Sequence, residues 1–236
     1  MRFLIALFFG FCFLSVSYIA VADNKPIILK AAAKKKASHY LNLRWISFKQ
    51  LKNSLPKLPI TVGFDVDDTV FFSSPGFFYR ENNIDGPKNS NKYGKTVKAQ
   101  RRSKQFWKDM NFSFDQFSIP KKIAYKLIGL HKKRGDKIYF ITARPPSKKE
   151  RLSLILAKHF KVPLKKLLYF SNRKTKAPII KKLNVKIFYG DADSDITSAK
   201  EAGVRAIRIL RSPLSTYKKK LSLGKFKEEI LQNSAL

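Results

Sequence analysis

Short apolar runs and longer amphipathic stretches take turns along the second half of this chain. Residues 60–64 read as a buried strand running into Asp65, after Pro56 and Pro59 have punctuated a modest helical stretch around 47–55. Ser118 and Pro120 open a helix that ends near Arg134, with Gly135 as its stop. Residues 137–142 form a β-rich run ending in polar residues, and Ser147 with Glu150 has the spacing of a capping box before an apolar helix over 152–160. Strands over 167–170, 185–189 and 205–210 then alternate with helices over 175–183 and 195–202, the last stopped by Gly203. Strand–helix alternation of this kind predicts an α/β fold, a Rossmann-like parallel sheet with helices on both faces. Residues 71–117, rich in Phe, Asn, Gly and Lys, break the alternation. They read as a long irregular insertion, a small helical or irregular cap, and a stretch of that length inside a compact domain is usually functional.

The first residues do not belong to this pattern. Arg2 is followed by an almost wholly apolar run to Ala20, and Ala20-Val21-Ala22 is a small-x-small site before polar Asp23 and Asn24. This is the form of a secretory signal peptide over 1–22, cut after Ala22; the alternative is an uncleaved anchor. The expected organisation is then a basic, partly helical segment over 23–58 and a catalytic domain over 59–236. Cys12 is the single cysteine, so the mature chain would have no disulfide, thiolate metal site or cysteine nucleophile. Lys and Arg number 49 against 16 Asp and Glu, a net charge of +33. Such a surplus favours anionic partners, or is a solvated surface, since the lysines are spread along the chain. No nucleic-acid-binding fingerprint is present, and no specific nucleic-acid partner is expected.

The scarce acids are not spread. Asp65, Asp67 and Asp68 follow the first strand, and Asp191, Asp193 and Asp195 follow the strand over 185–189. Parallel sheets bind ligands outside the carboxyl ends of their strands. Carboxylates gathered there repel one another unless a cation lies between them. With no cysteine and no paired-histidine spacing, the oxygen donors suit Mg²⁺. Asp193 and Ser194 also read as turn residues, with Ser194 or Asp195 capping the next helix. Asp65 and Asp67, two apart, can face the same side on leaving the strand. One can attack while the other handles protons, and an aspartate nucleophile divides phosphate ester hydrolysis into two easier steps. Thr142, the N–H of Ala143, the Arg144 fork and Lys176 supply hydroxyl, amide and positive groups for phosphoryl oxygens. His39, His131 and His159 read as structural.

Asp65-x-Asp67-x-Thr69, strand-end Thr142, Lys176 and Gly190-Asp191 with Asp195 resemble the four motifs of the haloacid dehalogenase superfamily of phosphohydrolases. Residues 64–70, 72–77, Phe106-Trp107, 117–120, 187–191 and 215–217 resemble the class B acid phosphatases more closely still. That resemblance implies a haloacid dehalogenase-like fold with Asp65 as nucleophile and metal ligand. It makes Asp67 the acid/base, giving its backbone carbonyl to the metal, and Asp191 the third ligand, with Asp195 in the outer shell. Thr142, the Ala143 N–H and Lys176 would hold the phosphate. Phe77, Trp107 and Tyr217 would wall the leaving group, although Trp107 reads equally as a core residue. It further implies a periplasmic, Mg²⁺-dependent homotetramer, off the membrane after signal cleavage, that acts on nucleoside monophosphates and other monoesters and transfers phosphate to alcohols. The chain departs from the family in a longer, very basic stretch between Phe77 and Trp107, in Ala143 where glycine is expected, and in a shorter segment around 172–175. Two other readings stay open: a phosphatase dedicated to one metabolite, and a basic secreted protein that binds nucleic acid or anionic envelope polymers.

Overall fold

The computed structural model describes residues 42–165 and 167–236. The signal peptide, its cleavage site and His39 lie outside the described residues. Residues Leu43–Leu236 form one compact unit. Residues 43–58, which the sequence assigns to a separate segment, are part of it.

Seven parallel strands make the sheet: β1 (Arg44–Ile46), β2 (Thr61–Phe64), β5 (Lys137–Thr142), β6 (Leu168–Phe170), β7 (Ile187–Gly190), β8 (Arg205–Arg208) and β9 (Glu229–Leu231). Their order is β1-β9-β8-β7-β2-β5-β6. Side chains alternate across the sheet, and its two faces carry different helices. Phe64, Phe140, Tyr189 and Ile207 point to one face, under α1 (Phe48–Asn53), α5 (Lys122–Lys133) and α6 (Leu152–Phe160). Ile141, Phe188 and Ala206 point to the other, under α7 (Ala177–Lys182) and α8 (Asp193–Glu201). The expected α/β fold with helices on both faces is therefore present.

The register sets the site. Phe64 is the last residue of β2 and lies opposite Phe140 on β5 and Tyr189 on β7. The Asp65 N–H continues the ladder by donating to the Tyr189 carbonyl at 2.8 Å. The ends of β2, β5 and β7 thus deliver Asp65, Thr142 and Asp191 to a single edge. Beneath it, His131 is fully buried, its Nδ1 2.6 Å from Asp136 Oδ2 and its Nε2 2.8 Å from the Tyr189 hydroxyl, in keeping with a structural role.

Two local expectations need correction, and the insertion takes the helical of its two expected forms. Within it, α2 (Ser74–Asn82), α3 (Val97–Arg102) and α4 (Lys104–Phe112) pack around Tyr93, Phe106 and Met110. Its ends are tied by a two-stranded antiparallel ribbon, β3 (Phe71–Phe72) with β4 (Ile119–Pro120). The helix expected from Ser118 begins only at Lys122, because that ribbon takes the preceding residues. Ser147 and Glu150 do not form a capping box. The Glu150 carboxylate instead accepts from the Ser153 N–H at 2.9 Å and from its hydroxyl, inside the first turn of α6.

Candidate active site

Asp65, Asp191 and Asp195 are buried and offer carboxylate oxygens that all lie within 4.8 Å of one another. Burial pushes the Asp65 carboxyl well above the usual range, with Asp195 adding to the rise and Lys176 opposing it. Burial likewise lifts Asp191 to about 7 against the pull of Arg211. Lys176, buried at the start of α7, is ion-paired to Asp65 and donates to Asp195 Oδ1 at 2.7 Å. Burial alone would lower its pKa, but Asp195 and Asp65 raise it above the ordinary lysine value and hold the ammonium charged. Arg211 reaches Asp191 Oδ2 at 2.7 Å from Nε. The Thr69 hydroxyl lies 2.9 Å from Asp65 Oδ2 and 3.3 Å from Asp191 Oδ1. A hydroxyl has one proton, so one of these two oxygens goes without a donor. Converging oxygen-only ligands with a donor missing are a setting for a hard divalent cation.

The Asp67 carboxylate turns away from this group. It takes Arg144 Nε on Oδ2 at 2.8 Å and Nη2 on Oδ1 at 2.5 Å. The remaining guanidinium donors go into the cap: Nη1 to Asp115 Oδ2 at 2.6 Å and Asn111 Oδ1 at 3.3 Å, Nη2 to Asp115 Oδ1 at 2.9 Å. All five donors of the Arg144 fork are thereby used. The sequence offers Arg144 as a phosphate clamp; the structure corrects this, because no N–H is left for a phosphoryl oxygen. Arg144 positions Asp67 instead. Burial would raise the Asp67 pKa, and the Arg144 charge and hydrogen bonds outweigh it and lower it.

A cavity of about 360 Å³ opens over these groups. Asp65, Asp67, Asp191, Asp195, Ala143, Arg144 and Lys176 line it, and so do Phe77, Trp107 and Tyr217. The expected residues therefore meet in one place, with one exception. Thr142 is fully buried beneath the cavity, where its Oγ1 accepts the Arg144 N–H at 3.2 Å. Phe77 and Trp107 meet edge to face with centroids 6.0 Å apart, and Tyr217 lies under Arg211, whose guanidinium carbon is 4.5 Å from the ring centroid.

Several residues in or beside the cavity were given no role by the sequence reading. Arg211 comes from the loop after β8, and nothing in its spacing announces it; Ser215, within the 215–217 stretch that carries the resemblance, donates to Asp68 Oδ2 at 2.6 Å. Asn111 and Asp115 stand four apart at the end of the insertion, and that acidic signal was available. Arg80, Arg101 and Arg173 also line the cavity.

Comparison with known proteins gives this geometry a family. The family model for haloacid dehalogenase superfamily subfamily IIIB, acid phosphatase, matches residues 29–220. The chain belongs to the class B acid phosphatases. A class B acid phosphatase of Salmonella typhi is 41% identical over 206 residues, covering 84% of this chain and 83% of its own. Those of Salmonella arizonae and Haemophilus parainfluenzae are 43% and 39% identical, the latter over 90% of both chains. A haloacid dehalogenase-like hydrolase from Streptococcus pneumoniae superposes with a TM-score of 0.51 at 15% identity, over 76% of this chain and 96% of its own, and shares the fold. The protein is thus a phosphatase, and its family acts on phosphate monoesters. Among the described residues no helix is long and apolar enough to cross a membrane.

Proposed function

We propose that the protein hydrolyses phosphate monoesters, nucleoside monophosphates and aryl phosphates among them, through a phosphoryl-aspartate on Asp65. The observation that carries this reading is the Asp65 carboxylate itself: buried at the tip of β2, paired with Lys176, and open to the cavity. Lys176 lowers the repulsion between an anionic nucleophile and a phosphoryl dianion. In the first step an Asp65 oxygen bonds to phosphorus and the ester oxygen leaves with the bonding pair, taking a proton from Asp67, which picks one up from solvent when the entering phosphoryl dianion offsets the pull of Arg144. In the second, Asp67 takes a proton from water, whose oxygen attacks the same phosphorus and returns the Asp65 carboxylate. Arg144 keeps Asp67 aimed at the cavity for both transfers. The Ala143 N–H, on the cavity wall, is suited to holding a phosphoryl oxygen, and the buried Thr142 hydroxyl orders that turn by accepting the Arg144 N–H. An alcohol in place of water would give phosphotransfer by the same two steps.

Asp65, Asp191 and Asp195, with the Asp67 carbonyl, would hold Mg²⁺. When bound, the ion supplies positive charge against the phosphoryl oxygens. The carboxylate cluster supports Asp195 as a direct ligand as readily as an outer-shell one. The amino-terminal pattern supports secretion to the periplasm, and the homotetramer is carried over from the resemblance alone. The test is direct. With Mg²⁺ at mildly acidic pH the protein turns over a chromogenic aryl phosphate; excess chelator stops it and Mg²⁺ restores it. Asp65→Asn abolishes turnover while melting within a few degrees of the parent. Full activity in chelator would sink the metal assignment, and turnover by Asp65→Asn above about one per cent would sink the nucleophile.

A further inference from the structure

The cavity holds more positive charge than its carboxylates need. Arg144, Lys176 and Arg211 are each paired with site aspartates, and Arg80 with Glu81. Arg101 and Arg173 are not: both are exposed, both line the cavity, and neither has a carboxylate within ion-pair distance among the described residues. They are nonetheless held together. Arg173 Nη2 donates to the Arg101 carbonyl at 3.2 Å, bridging the loop after β6 to the cap helix α3, and the Trp107 indole donates to the same carbonyl at 3.1 Å. Two like charges lining one cavity without a carboxylate partner repel, and an anion bound between them would relieve that cost.

The backbone beneath Arg173 carries a second sign of purpose. Asn172 and Arg173 both adopt left-handed conformations, φ 52° and 63°, unusual for an arginine. The Arg173 N–H donates to the Ala143 carbonyl at 2.7 Å, fastening the residue directly to the strand end that borders Asp65. Strained backbone held in place by such bonds clusters where function requires a fixed side chain. The aromatic rings of Trp107, Phe77 and Tyr217 line the same cavity as this pair and the nucleophile, and the Arg101 guanidinium carbon is 6.0 Å from the Tyr217 ring centroid.

The geometry points to Arg101 and Arg173 as a second anion site that selects monoesters carrying a further phosphate, nucleoside bisphosphates being the class whose base the aromatic walls accept. This rests on the monoesterase reading above and specifies its substrates. The scissile phosphate sits over Asp65, the ring system lies against the aromatic wall, and the retained phosphate meets the two guanidiniums at the mouth.

The experiment compares kcat/KM for adenosine 3′,5′-bisphosphate and adenosine 5′-monophosphate at matched ionic strength in Mg²⁺. The variants are Arg101→Gln and Arg173→Asn, asparagine being tolerated in the left-handed backbone. The parent prefers the bisphosphate about tenfold or more, and each variant lowers that ratio about tenfold, the effect of losing one charge-assisted contact. Circular dichroism and the melting temperature of each variant establish that it is folded. A parent ratio near one, or a ratio unchanged in both folded variants, overturns the inference and leaves the monoesterase reading standing. No turnover of either substrate overturns both.

Discussion

Arg144 touches the cleft floor with one edge and the cap with the other, and the two edges serve different ends. Toward Asp67 it fixes the direction and ionisation of the carboxylate proposed to carry protons. Toward Asp115, fully buried, it supplies the opposing charge, although burial still leaves that carboxyl above its ordinary pKa. Asp115→Ala leaves the buried guanidinium half paired, a fault worth about 3–5 kcal/mol. The variant should melt many degrees lower and, at a temperature where it is folded, turn over roughly a hundredfold more slowly because Asp67 is no longer held. His131 makes a pH-dependent contribution. Neutral His131 donates from Nδ1 to Asp136 and accepts the Tyr189 hydroxyl on Nε2; protonation would set N–H against O–H. Burial holds its pKa below the ordinary value. The unfolded chain therefore takes the proton first. The stability is fully present above about pH 6.5 and is lost as pH falls through the folded-state pKa. Urea unfolding between pH 5 and 7.5 should show this loss, and His131→Gln, less stable throughout, should show a shallower one.

The elements legible in the sequence were those whose signals are local. Strand β5 occupies the expected range because Lys137–Thr142 is bounded by Gly135 and by the polar residues that follow. The site carboxylates were legible for the same reason: Asp65 and Asp191 each follow directly on a strand. Strands β1 and β9 were missed. Each is three residues long with no strand–helix alternation around it to mark it, and β1 joins the sheet only by pairing with β9, which lies between it and β8 and comes from the far end of the chain. A helical or irregular cap was expected, but its individual helices were not placed although Thr96 and Ser103 cap two of them by accepting from the N–H groups of Ala99 and Phe106. Lysines and asparagines between the aromatic residues hid the 3.6-residue period. The Arg144–Asp115 and Arg211–Asp191 pairs were illegible in another sense, since only the fold brings them together. At the end of β7, Gly190 shows how tightly two elements meet. A Cβ there would lie 2.3 Å from the Asp195 Cβ. Gly190→Ala should therefore push α8 outward, cost about 1–3 kcal/mol, and raise the Mg²⁺ concentration needed for half-maximal activity by displacing Asp195, measured by titrating the metal.

Across the whole molecule the excess of 49 basic over 16 acidic residues remains after every site carboxylate has been paired. A positively charged body draws in dianionic substrates before any contact forms. The expected signature is kinetic: with a dianionic monoester, kcat/KM falls as ionic strength rises from low to about 0.5 M while kcat changes little. A flat kcat/KM, measured where encounter limits the rate, would make the lysines a solvated surface only. The proposed chemistry of the cleft depends on Asp65 forming a bond to phosphorus. The most direct measurement is to mix enzyme with a radiolabelled phosphate monoester, quench in acid within milliseconds and map the labelled peptide. The account predicts acid-stable, hydroxylamine-labile label confined to the peptide containing Asp65, and none in Asp65→Asn. Label on another residue, or turnover by Asp65→Asn with phosphate release intact, would contradict it.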